Sequence, residues 1–399
     1  MKYIYYIGNF DFYLFNAQAQ LVLSNGRIFK ELGYQVIYIG SSNKERYSKL
    51  SDTKVNVDGF PVYMGYFSKR IKDLIEWKKL DDEIIELLEE NVDFIEAVVL
   101  YGSPGFAIQV SSLSRWCKNN SINFIANCVD ISSTSHGNII ERIAKTTDRK
   151  LRDLIFKTKA DGIIAVSKYI AKYFNKNNSK PVVIIPPLRD CNLMTTPQMT
   201  STNLIKIVYA GIPFPVDGRK VDVSAYKDRL DIVLDLIGEI YKYNKSIRLD
   251  IYGLNEKQYL KVVNRHIPLM RYLSNIVYFH GVQNSEKIIQ KISKADFTIN
   301  LRNVNQMTTA GFSTKFVESI SCGTPVITTN TSDLSNYLIE GRNGFFVNID
   351  NKEDAVNKLL EIFSLKPKNI QKMKKYCFDS RLFDYREYVD EMKHFLDSL

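Results

Sequence analysis

The sequence predicts an α/β protein with two doubly wound, parallel-sheet domains. Short apolar strands alternate with helix-length amphipathic segments through most of the chain. The alternation stops once, near residue 190, in a polar stretch without a periodic apolar face. The 399 residues suit two domains of about 100 to 200 residues each. Because strands that alternate with helices pair in parallel, each domain should contain a parallel sheet.

The first domain is predicted over residues 1–190. An apolar strand at 3–7 is followed by a helix at about 17–32, which Gly33 ends, and by a second strand at 35–39. These three elements form one βαβ unit. The same alternation continues in further strands, predicted at 97–100, 123–129, 162–166 and 182–185.

The second domain is predicted over residues 203–380, after a linker rich in Thr, Ser, Asn and Met. Gly211, Gly253 and Gly281 each follow one of its first three strands. A closing amphipathic helix is predicted at 385–399, with Tyr388, Met392, Phe395 and Leu399 on one face. The strands of this domain are predicted at 205–209, 248–252, 276–279, 297–301 and 325–328.

The composition limits the cellular compartment and the classes of partner that are expected. The net charge of +10 indicates an anionic partner, which could be nucleic acid, a membrane surface or a phosphorylated substrate. No recognised nucleic-acid-binding motif is present, so nucleic acid is not expected. Five separated cysteines without a Cys-x-x-Cys pair favour neither disulfides nor zinc and suit a reducing cytoplasm. No apolar stretch approaches the roughly 20 residues that span a bilayer, so any membrane contact is expected to be peripheral.

An anion site is predicted where a small-residue loop opens a helix near residue 313. Gly311 and Ser313 let a ligand approach the unpaired N–H groups of the helix N-terminus. Lys315 lies in the first turn, where its charge opposes the helix dipole, and a bound anion would offset this charge.

The segment from Arg302 to Ile327 resembles the donor-binding signature of retaining glycosyltransferases of family 4. These enzymes have the GT-B fold, in which two Rossmann-like domains face each other across a cleft. Essentially the whole chain shares the resemblance, and the donor half is the more specific. The resemblance implies that residues 1–190 bind the acceptor, that residues 203–380 bind the nucleotide-sugar donor, and that the helix at 385–399 packs back onto the first domain. Four shorter segments also resemble parts of this family, at 207–211, 278–281, 160–167 and 184–187.

The resemblance assigns roles in donor binding. Glu318 should accept hydrogen bonds from the ribose hydroxyls; the alternative is a solvated charge on a helix. The backbone of Gly311, Phe312, Ser313 and Thr314, together with Lys315, should hold the diphosphate. The remaining donor-binding positions are Gly211 at the first glycine turn and His280 and Gly281 around the base.

A cation is also expected to stabilise the departing diphosphate. Lys227 matches the family position before an apolar helix and is favoured over Arg219 and Lys220, which lie earlier in the same loop. Arg302 follows a strand and either reaches the phosphates or forms a structural ion pair.

Acceptor-side signals are weaker. Asn16 follows the first strand, and Asp130 and His136 follow the strand at 123–129, so all three are expected at the strand ends. His136 either orients a substrate or has a structural role. Residues 142–180 contain eleven Lys and Arg against three acidic residues. With the apolar side chains interspersed there, this segment either contacts anionic lipid or is a solvated helix face over a core.

The family places two glutamates eight positions apart, and this sequence has Glu318 but Ala310 at the first position. Ala310 therefore puts either the sugar choice or catalysis in question. The resemblance implies a retaining hexosyltransferase of polysaccharide biosynthesis, without a protein nucleophile, that uses a UDP-sugar rather than a GDP-sugar. The acceptor would be a glycan or a lipid-diphosphate-linked glycan at the inner face of the membrane. Because no Asp-x-Asp occurs, no metal is expected. No cofactor is expected beside the nucleotide-sugar donor. The alternative is a catalytically silent GT-B protein that is a partner or chaperone of an active transferase.

Overall fold

The computed structural model describes residues 1–12, 17–41, 49–65, 67, 74–102, 106–131, 139–198, 202–217, 221–223 and 226–399. Its contacts divide the chain into two compact units. The first contains Met1–Leu188, Ala310–Phe312 and Tyr385–Leu399, and the second contains Arg189–Thr309 and Ser313–Asp384.

Strands and helices alternate along both units. The strands are β1 (Tyr3–Gly8), β2 (Gln35–Ser41), β3 (Val55–Val57), β4 (Phe60–Gly65), β5 (Ile95–Tyr101), β6 (Asn123–Cys128), β7 (Gly162–Ala165), β8 (Val182–Ile184), β9 (Ile205–Ala210), β10 (Ile247–Tyr252), β11 (Val277–Phe279), β12 (Phe297–Asn300), β13 (Val326–Thr328) and β14 (Gly344–Phe346). The helices are α1 (Ala17–Glu31), α2 (Leu74–Glu89), α3 (Ala107–Asn119), α4 (Ile139–Lys159), α5 (Lys168–Phe174), α6 (Leu230–Ile240), α7 (Glu256–Val262), α8 (Ile267–Tyr272), α9 (Ser285–Lys294), α10 (Gln306–Ala310), α11 (Thr314–Ser321), α12 (Lys352–Phe363), α13 (Pro367–Asp379) and α14 (Val389–Asp397).

The sheet of the first unit has the strand order β3-β4-β2-β1-β5-β6-β7-β8. All neighbouring strands pair in parallel except β3 and β4, which are antiparallel. Strands β3 and β4 were not predicted. Asp58 and Gly59 connect them with φ angles of 54° and 80°, as a two-residue hairpin turn requires. Strand β3 has only three residues, and β4 contains Pro61, which argues against a strand in a sequence pattern.

The end of the chain belongs to the first unit. Instead of the single predicted helix at 385–399, a 3-10 turn at Tyr385–Tyr388 precedes α14. Met392 and Phe395 of α14 are buried. The side chains of Phe395 and Leu399 lie so close to Gly162 that a Cβ there would come within 2.6 Å of each. A residue without a side chain at 162 therefore lets the last helix pack on β7.

The sheet of the second unit has the order β11-β10-β9-β12-β13-β14, and every pair is parallel. Its core is formed by apolar residues of β9, β10 and β12 packed against α6 and α12, with Ile207, Leu249, Phe297, Leu234 and Leu359 all buried. The prediction of parallel-sheet α/β units is confirmed in both halves of the chain. Among the described residues, no helix is both long enough and apolar enough to span a bilayer.

Candidate functional site

Three glycines lie side by side at the carboxyl ends of β9, β10 and β11. The N–H of Gly211 donates to the carbonyl of Tyr252 at 2.9 Å, and the N–H of Gly253 donates to the carbonyl of Gly281 at 2.8 Å. A Cβ on Gly253 would come within 2.3 Å of the Gly211 carbonyl oxygen. This edge of the sheet is therefore formed by backbone. Ligands of parallel sheets bind at the carboxyl ends of strands, where such a surface admits a close approach.

Helix α11 begins beside this edge. Its first residues follow Ser313, whose Oγ accepts a hydrogen bond from the N–H of Phe316 at 3.4 Å. The same Oγ accepts a second hydrogen bond from Nδ2 of Asn300, at the end of β12, at 3.0 Å. The end of the strand thereby fixes the start of the helix. Gly311, Thr314 and Lys315 around this helix start are partly exposed, whereas the side chain of Phe312 is buried.

A fully buried carboxylate, Asp228, joins two cations at this edge. Nζ of Lys315 lies 2.7 Å from Oδ2 of Asp228, and Nε of Arg302 lies 2.8 Å from Oδ1. The hydroxyl of Tyr209 donates to Oδ2 at 2.8 Å. The side chains of Arg302 and Lys315 are 7% and 18% exposed. One negative and two positive charges meet here, so the cluster carries a net charge of +1.

The ionisation of Asp228 follows from these contacts. Burial alone would raise the pKa of its carboxyl group, but Lys315 and Arg302 outweigh burial and hold the pKa well below its usual range. Burial, followed by the neighbouring Asp228, raises the pKa of the Tyr209 phenol well above its ordinary value. Asp228 is therefore an anion and Tyr209 a neutral hydrogen-bond donor at neutral pH.

Lys315 extends across Gly211. A Cβ on Gly211 would come within 2.2 Å of Cε and 2.7 Å of Nζ of Lys315. The sequence suggested that a bound anion offsets the charge of Lys315, and in the structure the carboxylate of Asp228 does so. For Arg302, the sequence left phosphate contact and an ion pair open, and the structure shows the ion pair.

Glu318 lies on α11, one turn beyond Lys315, and forms an ion pair with Arg189 through Oε1 and Nη2. The Glu318 side chain remains 27% exposed. The carboxylate of Glu318 is therefore held by a cation, and its side chain stays partly accessible.

Lys227 is exposed and precedes the first residue of α6, Leu230, by three positions. The N–H of Lys227 donates to the carbonyl of Pro213 at 2.8 Å, which ties its backbone to the loop after Gly211.

His280 takes part in a polar cluster at the β11 edge. Its Nε2 lies 2.6 Å from Oδ1 of Asp250, and its ring stacks on Tyr252 at 4.6 Å between centroids. Arg248 also binds Asp250, at 2.8 Å. A cavity of about 550 Å³ adjoins this cluster, lined by residues that include Glu256, Met270, Arg271, Ser274, Tyr278 and His280.

The remaining predicted positions are in or near the first unit or lie outside the described residues. Asp130 is exposed just after β6. Ala310 is fully buried, and its carbonyl accepts a hydrogen bond from Oγ of Ser167 at 2.6 Å. Asn16, His136, Arg219 and Lys220 lie outside the described residues. In the part of the chain that is described, no group of three His, Cys, Asp or Glu side chains is arranged to hold a metal ion.

Sequence comparison relates the second unit to a known family. Residues 221–378 match the family model described as "Glycosyl transferases group 1". Over 207 residues, the chain is 25% identical to an uncharacterized glycosyltransferase of Methanocaldococcus jannaschii. That alignment covers 52% of this chain and 51% of the relative, so the chain spans about half the length of the curated relative it matches. The matches indicate a group 1 glycosyltransferase domain.

Comparison of structures extends over the whole chain. Sucrose-phosphate synthase of Thermosynechococcus elongatus superposes with a TM-score of 0.67 at 14% identity, covering 100% of this chain and 98% of that one. HepE of Anabaena in complex with UDP-glucose gives a TM-score of 0.64 at 13% identity and 100% of both chains. At these identities the likeness concerns the fold. The predicted fold class is confirmed: the two α/β units resemble those of GT-B glycosyltransferases.

Proposed function

We propose that this protein is a retaining, metal-independent glycosyltransferase that moves a sugar from a nucleotide diphosphate to a glycan or lipid-linked glycan. The observation that carries the proposal is the cationic cluster of Arg302, Lys315 and Asp228 beside the start of α11. This cluster lies within the segment that matches the glycosyltransferase model. We assign donor binding to the second unit and acceptor binding to the first.

The chemistry of the leaving group explains why such a cluster suits the reaction. When the sugar departs, negative charge develops on the nucleoside diphosphate, and preorganised N–H groups and cations lower the barrier by stabilising that charge. We assign this task to the backbone N–H groups of residues 311–314 and to Lys315, with Arg302 beside it. Because the phosphate itself assists deprotonation of the acceptor in our proposal, no protein nucleophile is required. Lys227, Arg219 and Lys220 are the candidates for a further cation from the loop after Gly211.

We assign the ribose and the base of the nucleoside to two different parts of the second unit. Glu318 is proposed to accept hydrogen bonds from the vicinal ribose hydroxyls, for which a carboxylate has suitable acceptors. The base is proposed to lie near His280 and Gly281, at the end of β11. The UDP-glucose complex of the structurally similar HepE supports a UDP-sugar over a GDP-sugar.

Ala310 is proposed to influence the choice of sugar. Its methyl group is buried and carries no hydrogen-bonding atom. If the sugar lies beside this position, a donor that needs a carboxylate there would lose that contact. We therefore propose that binding of the preferred donor sugar does not require a carboxylate at position 310.

The first unit supports a membrane-linked acceptor. Helix α4 exposes Ile139, Ile143, Leu151 and Leu154, which are 74%, 63%, 48% and 54% accessible. Exposed Arg142, Lys145, Lys150 and Lys159 lie on the same helix. An apolar stripe among cations suits the interface of an anionic bilayer. We propose that the protein acts in the cytoplasm at the inner membrane face, with Asp130, Asn16 and His136 on the acceptor side.

A nucleotide panel tests the proposal. Thermal unfolding should be measured with uridine, UMP, UDP, GDP and several UDP- and GDP-sugars, since a ligand that binds the native state raises the melting temperature. UDP and at least one UDP-sugar should raise it, and turnover of that sugar should release UDP without added metal. Lys315→Met should reduce the gain from UDP over uridine, because it removes one of the groups assigned to the diphosphate. Lys352→Met is the matched control, because Lys352 is 62% exposed and pairs with Glu239 elsewhere in the unit. No shift with any nucleotide diphosphate would contradict the proposal.

A further inference from the structure

We propose that Arg189 is a positioning residue that holds Glu318 for recognition of a vicinal diol. The inference rests on the proposed function, in which Glu318 binds the ribose. It adds a residue that lies outside the matched segment 221–378. Arg189 and Glu318 are 129 positions apart in the sequence.

The backbone of Arg189 is fixed within the second unit. Its N–H donates to the carbonyl of Phe383 at 2.9 Å, and Arg189 forms a β-bridge with Asp384. Phe383 packs edge-on against Phe316 of α11, with 5.7 Å between ring centroids. The side chain of Arg189 then reaches Glu318 on that same helix. Arg189 is therefore connected to α11 in two ways, through the contact of Phe383 with Phe316 and through its own ion pair with Glu318.

The accessibility of the two side chains favours a role in positioning. The side chain of Arg189 is 10% exposed, whereas that of Glu318 is 27% exposed. The Arg189 side chain is thus largely buried, and the Glu318 side chain is partly accessible. A carboxylate has about four acceptor positions on its two oxygens, and Arg189 contacts Oε1. Acceptor positions therefore remain for the two hydroxyls of a ribose.

The ion pair also lowers the cost of presenting this carboxylate. A flexible Glu side chain loses rotamer freedom when it orders on a ligand. An Arg that already holds it removes part of that loss before binding, because the guanidinium is planar and its donors are fixed. Preorganisation of this kind strengthens hydrogen bonds to the diol and leaves contacts to the phosphates unchanged.

The test is the ratio of affinities for UDP and 2′,3′-dideoxy-UDP, measured calorimetrically on the full chain. Wild type should favour UDP about tenfold or more, the range expected for hydrogen bonds to a charged acceptor. Glu318→Gln should bring the ratio towards one. Arg189→Met should lower the ratio at least threefold while affinity for 2′,3′-dideoxy-UDP stays within about twofold of wild type. Arg189→Lys should give a ratio between those of wild type and Arg189→Met, since Lys keeps the positive charge but lacks the planar guanidinium with its fixed donors.

The double variant Arg189→Met, Glu318→Gln separates positioning from direct contact. If Arg189 acts through Glu318, the double variant has the same ratio as Glu318→Gln alone. Arg342→Met is the matched control, since Arg342 is exposed and stacks on Tyr376 at 4.4 Å elsewhere in the second unit. It should leave the ratio unchanged.

The outcomes distinguish the two proposals. A wild-type protein that does not bind UDP, or a Glu318→Gln ratio equal to that of wild type, contradicts the ribose assignment itself. A lowered ratio for Glu318→Gln with an unchanged ratio for Arg189→Met contradicts only the role of Arg189. If Arg189→Met does not fold, Arg189→Lys decides, and an unchanged ratio there overturns the inference.

Discussion

Asp228 and Lys315 are 87 positions apart in the sequence, yet their side chains meet in an ion pair of 2.7 Å. Arg302 binds the other oxygen of the same carboxylate. Asp228 therefore determines where two cations are held at the carboxyl edge of the second sheet. The contribution of Asp228 to the free energy of unfolding can be measured, because a buried carboxylate and its cationic partners each need an opposite charge nearby.

Asp228→Asn should destabilise the protein by about 3 kcal/mol or more, because the buried Arg302 and the partly buried Lys315 lose their counter-charge. Urea unfolding at neutral pH measures this change. Asp379→Asn is the control, since Asp379 is 53% exposed in its pair with Lys375, and it should cost less than about 1 kcal/mol. Equal effects of the two substitutions would contradict the assignment of a buried charge cluster.

The same pair predicts a pH dependence. The folded-state pKa of Asp228 lies below its ordinary value of 3.8. The unfolded chain therefore binds the proton first on acidification, so the stability that Asp228 contributes is present above pH 3.8 and is lost as pH falls through the folded-state pKa. The stability difference between wild type and Asp228→Asn should stay constant from pH 7 to about pH 4 and shrink below it. A difference that vanishes near pH 6 would contradict this explanation.

The sequence predicted the long elements well and the cluster poorly, for physical reasons. Strands such as β1 and β9 are largely buried, with Lys206 the exposed residue of β9, so their apolar runs are visible in the sequence. Strand β14 was missed because residues 341–344 read Gly-Arg-Asn-Gly, a turn signal, and the strand begins at the last of them. The role of Asp228 was missed because it sits between Lys227 and Arg229, where local sequence suggests an exposed helix start. Its partners come from elements 74 and 87 positions away, and a sequence pattern contains no such distances.

Arg189 was missed for a related reason. It follows the predicted strand at 182–185 and precedes the polar linker, so nothing local marks it as a site residue. Its position beside Glu318 depends on the β-bridge to Asp384, which joins segments from opposite ends of the second unit. The roles of the other predicted site residues remain predictions.

Gly253→Ala should destabilise the protein more than Gly281→Ala. Both glycines have positive φ, 111° and 68°, so Ala is strained at each by about 1 kcal/mol or more. Only at Gly253 would the new Cβ meet backbone, 2.3 Å from the Gly211 oxygen, whereas nothing lies within 4 Å of it at Gly281. The collision should add about 1 to 3 kcal/mol. Thermal or urea unfolding measures both variants, and equal losses would show that the glycine edge tolerates a side chain.

Lys374 should give an unusual alkaline pH dependence. Its side chain is fully buried, and Nζ donates to the carbonyl of Ser293 at 3.0 Å and to that of Ala295 at the end of α9. Burial lowers the pKa of Lys374 to about 8 from 10.5. Between these values the unfolded chain binds more protons, so stability rises with pH. The stability of wild type relative to Lys374→Met should therefore increase from pH 8 towards pH 10.5, by up to about 1.4 kcal/mol per pH unit.

The control for Lys374 is the exposed Lys352. Lys352→Met removes a lysine that is 62% exposed, so its stability difference from wild type should change little over the same pH range. A Lys374→Met difference that stays flat with pH would show that burial does not shift this amine.

Lys227→Ala and Lys315→Met should affect turnover in different ways. If Lys227 stabilises only the departing charge, its loss should lower kcat at least tenfold with little change in UDP affinity. Lys315 adjoins Gly211 and the start of α11, so its loss should weaken UDP binding as well as kcat. Steady-state kinetics and calorimetry with UDP measure both effects. Unchanged turnover in Lys227→Ala would transfer the role to Arg219 or Lys220.

Replacing three apolar residues on α4 should weaken membrane binding. The triple variant Ile143→Ser, Leu151→Ser, Leu154→Ser removes side chains that are exposed in the structure, so folding stability should change little. Sedimentation with vesicles of phosphatidylcholine and phosphatidylglycerol should show binding by wild type that weakens as salt screens the lysines. The variant should bind at least tenfold more weakly, since each buried aliphatic side chain contributes about 1.5 to 3 kcal/mol. Phe94→Ser is the control, because Phe94 is 56% exposed elsewhere in the first unit, and it should bind as wild type does. If the triple variant binds the vesicles as tightly as wild type does, the exposed apolar residues of α4 contact another partner or none.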